Sequence, residues 1–427
     1  MARCAAPFAE RRRSELPGPR ALAGAFRPLE RRRRHRSAMP LPLIFAPVVF
    51  LLLAAIQPAA ITAQSVPAIC VGDDACIACH QDKVNSYRRT AHSLTSRPAD
   101  RDSVHGGFGP GSNILRTVNT NLYFEMTTNE AGLFQTAWLR RPPNEIGHHT
   151  ERFGVVVGSG RKGQTYLFWK DDELFQLPIS YWTEVGGWVN SPGYPDGIAV
   201  FNRPVTPRCL ECHATAFKSL APPINHFDKT TLVLGITCEK CHGPGSEHVA
   251  LYRSKAPPQS PTNGAILNPA RFARDRQVDV CALCHAAGSP RPSVPSLSFV
   301  PGDVLDQFID VPKPAPNAHV DVHGGHTQLL QRSRCFRSSA TMTCSTCHDV
   351  HAPQRDLASF APKCLACHKI ESCGKFATLG RKISDQCVVC HMPLQSTDLI
   401  ISSANGTKLQ PKVRNHQIAI YPEVQLQ

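Results

Sequence analysis

Apolar positions are spread unevenly along this 427-residue chain and divide it into segments of different character. Residues 1–38 are dense in arginine, with runs at Arg11–Arg13 and Arg31–Arg34, and lack the apolar periodicity that a folded core needs. An uncharged, mostly apolar stretch follows from Met39 to Ala63, broken by Pro40, Pro42, Pro47 and Pro58 and ending in small residues. Its densest part, Leu43 to Ile56, suits a signal core better than the roughly 20 unbroken residues of a spanning helix. Residues 1–63 are thus expected to be a leader and signal peptide, with a start at Met39 as one form of that reading. No stable membrane span is expected.

Asn113 to Phe201 carries short runs such as Leu122-Tyr123-Phe124, Phe153 to Val157 and Tyr166 to Trp169, punctuated by Gly and Pro. These predict short β-strands and turns. Gly158-Ser-Gly160-Arg-Lys-Gly163 matches GxGxxG, but a strand-like run follows it, whereas a dinucleotide fingerprint must open a helix. It is read as a turn. From Arg208 onward, apolar residues thin out between proline-rich connectors such as Ala256–Pro261 and Ser289–Pro295, predicting short helices and irregular chain. The expected fold is mainly α and irregular, organised around bound groups, with a β-rich insert at about 113–201. The expected segments are 1–63, 64–112, 113–201 and 202–427.

Cysteine usage changes this picture most. Of 18 cysteines, 14 fall into seven Cys-x-x-Cys-His motifs: Cys76/Cys79/His80, Cys209/Cys212/His213, Cys238/Cys241/His242, Cys281/Cys284/His285, Cys344/Cys347/His348, Cys364/Cys367/His368 and Cys387/Cys390/His391. Two thiols three positions apart lie on one side of a turn and each add to a vinyl group of one haem, while the adjacent His reaches the iron. Zinc knuckles also use Cys-x-x-Cys but do not require His directly after it, as all seven motifs here have. The reading is seven covalent c-type haems. Aromatic content of only 7% fits an interior filled partly by macrocycles.

Charge then excludes one class. The leader accounts for +8 of the formal +14, leaving about +6, which haem propionates would offset, so nucleic-acid binding is not expected. Cys335 and Cys373 flank motifs and are candidates for a disulfide, with Cys70 as an alternative partner.

The sixth iron ligand decides the chemistry. Only Met126, Met342 and Met392 remain beyond the leader, and Met392 follows a proximal His, so methionine is not the general answer. Histidine is abundant. His351 lies three residues after His348, and His248 lies six after His242 across Gly243-Pro-Gly245. His92, His226 and His416 stand alone, and the cluster His319, His323 and His326 supplies His323 and His326 as candidates. His105, His148 and His149 are weaker substitutes. Ligation by two histidines gives low-spin iron with no open position, which suits electron transfer.

With these motifs in view, the chain resembles the multihaem cytochromes c related to the tetrahaem cytochrome of ammonia oxidation. That group shares haem packing with octahaem hydroxylamine oxidoreductase and pentahaem nitrite reductase. The resemblance runs from about Cys76 to His416. It is carried by Cys76-Ile-Ala-Cys-His80 with Tyr87 and Thr90-Ala-His92-Ser93, by Cys238 to Gly245 with His248, by Thr343 to His351, and by Cys387 to Pro393. It implies distal ligands at His92, His248 and His351. Cys-x-x-Cys-Lys, the attachment motif of the nitrite reductase active haem, is missing, and the 113–201 insert has no haem motif. The expected function is one-electron transfer between redox partner proteins in the periplasm or outside the cell, with self-association possible. The alternative is a multihaem oxidoreductase with one open iron acting on a small nitrogen or sulfur compound.

Overall fold

The computed structural model describes residues 69–422 except 144, 221, 255–264 and 292–293. The leader reading for 1–63 lies outside the described residues. Among those described, no helix is long and apolar enough to cross a membrane.

Strand content is higher than expected. Helices are short, the longest being the 15 residues Asp73–Tyr87, and strands occur on a comparable scale. The chain is therefore a mixture of short helices and sheets, in which the expected mainly α and irregular character holds only loosely. The physical reason lies in the haem-free stretch, where alternating apolar residues build two sheets.

The strands of these two sheets are β1 (Ser96–Pro98), β2 (Ile114–Arg116), β3 (Leu122–Asn129), β4 (Gly132–Arg141), β5 (Glu145–Arg152), β6 (Val155–Val157), β7 (Gly163–Lys170), β8 (Glu173–Gln176), β9 (Ile179–Trp182), β10 (Gly187–Asn190) and β11 (Arg203–Pro204). Antiparallel β2-β3-β4-β5 form one sheet, and β1-β6-β7-β8-β11 with β9 and β10 form the other. Because β1 and β11 lie outside 113–201, the second sheet draws its edges from the neighbouring segments. In β3, Leu122, Phe124 and Met126 are buried while Tyr123 and Glu125 are half-buried, the two-residue period of a strand with one face on a core. They meet Tyr166, Ile179 and Trp188 of the opposite sheet in one cluster. Buried Gln135 ties the sheets further, its amide donating to the Ile179 carbonyl (3.2 Å) and accepting from the Ile179 N–H (3.0 Å).

The GxGxxG segment is a turn, as read. Gly158 and Gly160 have φ of 102° and 83°, and Gly163 starts β7 rather than a helix. A Cβ at Gly158 would lie 2.8 Å from the Gly163 carbonyl, so this turn requires glycine.

The second sheet also positions the attachment region. Val155, Leu167 and Leu174 on it pack with Leu210, which lies between Cys209 and Cys212, and with Ala214 and Phe227. A second small cluster, including Ala282, Leu283, Phe299, Leu305 and Ile309, backs the fourth motif. Both put apolar side chains behind a Cys-x-x-Cys-His turn and so fix its orientation.

Phe124 is fully buried in the inter-sheet core. Phe124→Ala should lower stability by about 3–5 kcal/mol, measured by thermal or chemical denaturation followed by tryptophan fluorescence.

Candidate haem attachment site

Each motif sits on one tight turn, but the supporting element varies. The first lies inside Asp73–Tyr87, where His80 leaves helical geometry (φ −123°, ψ 35°). The second, third and seventh occupy the short helices Pro207–His213, Cys238–His242 and Cys387–His391, and the fourth ends the helix Arg274–His285. The fifth begins on the 3-10 turn Cys344–Thr346, and the sixth straddles the end of the helix Ala361–Leu365.

The histidine spacing is the most informative geometry. An imidazole nitrogen lies about 2 Å from a bound metal and the ring centre about 1.1 Å beyond it, so two rings on opposite sides of one iron have centroids about 6.3 Å apart. Four pairs, each joining a motif His to a distant one, come close to this: His80 with His248 at 6.3 Å, His242 with His351 at 6.0 Å, His348 with His416 at 6.3 Å, and His92 with His285 at 6.1 Å. The first three are near-parallel, with interplanar angles of 18°, 26° and 28°, and the fourth is near-perpendicular at 76°.

Tautomers support the same use. His242 Nδ1 lies 2.8 Å from the Leu267 carbonyl and His391 Nδ1 2.7 Å from the Ala419 carbonyl. A carbonyl only accepts, so each Nδ1 carries the proton and leaves the Nε2 lone pair for a metal. His416 Nδ1 faces the Arg414 carbonyl at 3.1 Å, and His213 Nδ1 pairs with Thr95 Oγ1 at 2.9 Å. Burial, reinforced by neighbouring histidines, disfavours the charged form: His285 is pushed down to about 4 and His326 to about 2. Metal ligation requires the neutral ring.

The remaining candidates are placed differently. His326 stands between two pairs, 5.2 Å from His285 and 4.5 Å from His416 in near-perpendicular contacts, and its Nδ1 is buried without a hydrogen-bond partner. Both distances are short for opposed ligation of one iron. His323 lies within electrostatic reach of His213. His226 forms an isolated bridge with Glu173, and among the described residues no histidine ring contacts His226, His368 or His391. His319 lies 3.5 Å from Asp398, His105 packs on Tyr181, His148 on Trp138 and His149 on Phe201.

Cysteines of different motifs also meet. Cys76 is in side-chain contact with Cys238, Cys212 with Cys284, Cys281 with Cys344, and Cys364 with Cys387. Motif thus touches motif. The two thiols of a turn are not always equally enclosed, however. Cys79 and Cys367, both expected attachment thiols, are exposed, as is Cys209, whereas the other motif cysteines are half-buried. The reason lies in how the turns pack: Cys76 and Cys364 take the inward place against another motif, which leaves Cys79 and Cys367 on the outer side, and in the second motif Cys212 goes inward and Cys209 outward.

Cys335 and Cys373 are free thiols, which corrects the expected disulfide between them or from either to Cys70. Their surroundings explain it: Cys335 acts on Cys347 and Cys364, whereas Cys373 acts on Cys387 and Cys390, so each faces a different pair of motif cysteines.

Charged residues inside the motifs hold them together and were not singled out from the sequence. Glu239, 4% exposed, accepts N–H bonds from Val71 (2.8 Å), Gly72 (2.9 Å) and Gly245 (2.8 Å), and Asp73 accepts from the Cys238 N–H (3.0 Å). The first and third motifs are stapled by this exchange. Glu211, also 4% exposed, pairs with Arg208 at 2.7 Å and accepts from the Leu297 N–H at 2.9 Å. A carboxylate at an x position of Cys-x-x-Cys was the available signal. The donor set, paired thiols with an adjacent imidazole and, at four motifs, a second imidazole across from it, fits covalent haem.

Residues 199–243, which hold the second and third motifs, match the family described as "Cytochrome c554 and c-prime". Through this segment the chain is similar to multihaem c-type cytochromes. No curated protein matches. Among solved structures, the outer cell wall cytochrome OcwA aligns at 16% identity and a TM-score of 0.49, over 82% of this chain and 79% of that one. An undecahaem cytochrome from the S-layer of Carboxydothermus ferrireducens aligns at 16% identity and a TM-score of 0.35, over 76% of this chain and 51% of that one. Both scores fall below the level at which a shared fold follows.

Glu239→Leu should leave three backbone N–H groups unpaired and cost at least about 3 kcal/mol. Native-state hydrogen exchange checks this, with the Val71 and Gly72 amides expected to lose protection before those of the β-sheets.

Proposed function

We propose that the chain is an exported electron-transfer protein holding seven covalently attached c-type haems, most of them between two histidines. The observation that carries this reading is the set of four histidine pairs at opposed-ligand spacing, each containing one motif His. When bound, the haem supplies one-electron oxidation and reduction at its iron.

The chain's own residues account for the rest. Covalent attachment through Cys76 to Cys390 keeps the groups from being lost in a dilute extracytoplasmic space. His248, His351, His416 and His92 would hold the iron together with their partner motif histidines and would keep small molecules from it. The Leu267 and Ala419 carbonyls accept from Nδ1 of the motif histidines His242 and His391 and orient those imidazoles, which would hold the ligand geometry constant as charge changes and keep reorganisation small. Contact between attachment segments, as at Cys76 with Cys238 and Cys212 with Cys284, brings the sites into succession. Donor and acceptor proteins would meet the two ends of such a series, and His323 and His326 remain candidate ligands beside the assigned pairs.

Electron paramagnetic resonance of the oxidised protein tests the assignment. The wild type should show low-spin ferric haem, and His351→Ala should convert one equivalent of seven to a high-spin signal that shifts on adding cyanide. A spectrum untouched by His351→Ala would refute that ligand. A high-spin, nitrite-responsive signal in the wild type would instead favour the oxidoreductase reading.

A further inference from the structure

Arg208 stands immediately before the second motif, yet it bonds to the fourth. Its guanidinium Nη2 donates to the carbonyls of Leu283 (2.7 Å) and Gly288 (3.3 Å), and Leu283 lies inside the motif that spans Cys281 to His285. Nη1 pairs with Glu211 Oε2 at 2.7 Å, where the side chains are 21% and 5% exposed. Cys212 Sγ approaches the Leu283 carbonyl at 4.0 Å and touches Cys284. A permanent cation is therefore held by three acceptors at the point where two attachment turns meet.

We infer that Arg208 is a positioning residue that locks the second attachment helix against the fourth and places a fixed positive charge at their contact, favouring the reduced form of the groups attached there. The inference rests on the haem reading above. Reduction of ferric to ferrous iron adds one electron, supplied by an external reductant, and breaks no bond. A half-buried cation beside that site stabilises the extra negative charge more than water-screened charges do. Glu211 offsets part of this, but at Cys212 the guanidinium acts more strongly than the Glu211 carboxylate, and its charge also reaches Cys284. Lys240, from the third motif, adds positive charge at the same two thiols.

The test is a spectropotentiometric titration of the intact haem-loaded protein with dithionite and ferricyanide, alongside haem content by mass spectrometry. Arg208→Met should keep seven haems yet move one or two of the seven components to lower potential, lowering their reduced fraction several-fold at fixed potential. Arg208→Lys should restore most of that, and Glu211→Gln should move the same components upward. The inference is overturned if Arg208→Met titrates like the wild type, if all seven components move together, or if Arg208→Lys restores nothing. Should Arg208→Met lose a haem, Glu211→Gln decides: an upward shift supports the inference, and no shift or a downward one overturns it. A wild type lacking haem at the second or fourth motif would instead refute the reading on which this rests.

Discussion

The constraint on which this structure turns is the distance between opposed imidazoles. Two rings that share an iron are about 6.3 Å apart, and in four places a motif histidine meets that condition with a histidine far along the chain. His248 belongs to the segment after the third motif yet opposes the first. His351 follows the fifth and opposes the third, while His92 follows the first and opposes the fourth. The C-terminal segment contributes His416 to the fifth. Each of these histidine pairs thus ties one Cys-x-x-Cys-His turn to another stretch, and the short helices need little intrinsic stability of their own.

Protein interactions reinforce the same links. Glu239 and Asp73 exchange bonds between the first and third motifs, and Arg208 with Glu211 joins the second to the fourth. The haem-free sheets have a part in this arrangement. Leu210 packs against Val155, Leu167 and Leu174, and Thr95, just before β1, orients His213 of the second motif through its hydroxyl. The inter-sheet core around Phe124 and Tyr166 acts as a rigid wall behind one attachment site.

Much of this was legible in the sequence because the chemistry is local. Cys-x-x-Cys-His gives its candidate attachment residues within five positions, and the alternation in Leu122 to Met126 announces a one-sided strand. The strand-like run after Gly158–Gly163 likewise identified a turn. What was not legible depends on contacts between distant segments. Nothing local separates His226, which bridges to Glu173, from His416, which meets His348. The motif spacing alone likewise does not tell inward Cys76 and Cys364 from outward Cys79 and Cys367. Cys335 and Cys373 looked like a disulfide pair because both flank motifs, but each is turned toward a different set of motif cysteines. The helix-rich expectation missed how many strands the haem-free stretch and its flanks form, since edge strands as short as β1 and β11 carry almost no period to read.

The central claim, covalent haem at all seven motifs, is tested most directly by the intact mass of the exported protein under denaturing conditions, after expression with the haem-attachment machinery. Seven haem groups should remain bound to the unfolded chain, and digestion should place one on each of the motifs from Cys76 to His391. A chain whose motif cysteines stay as free thiols, or which instead releases zinc on unfolding, would contradict the account.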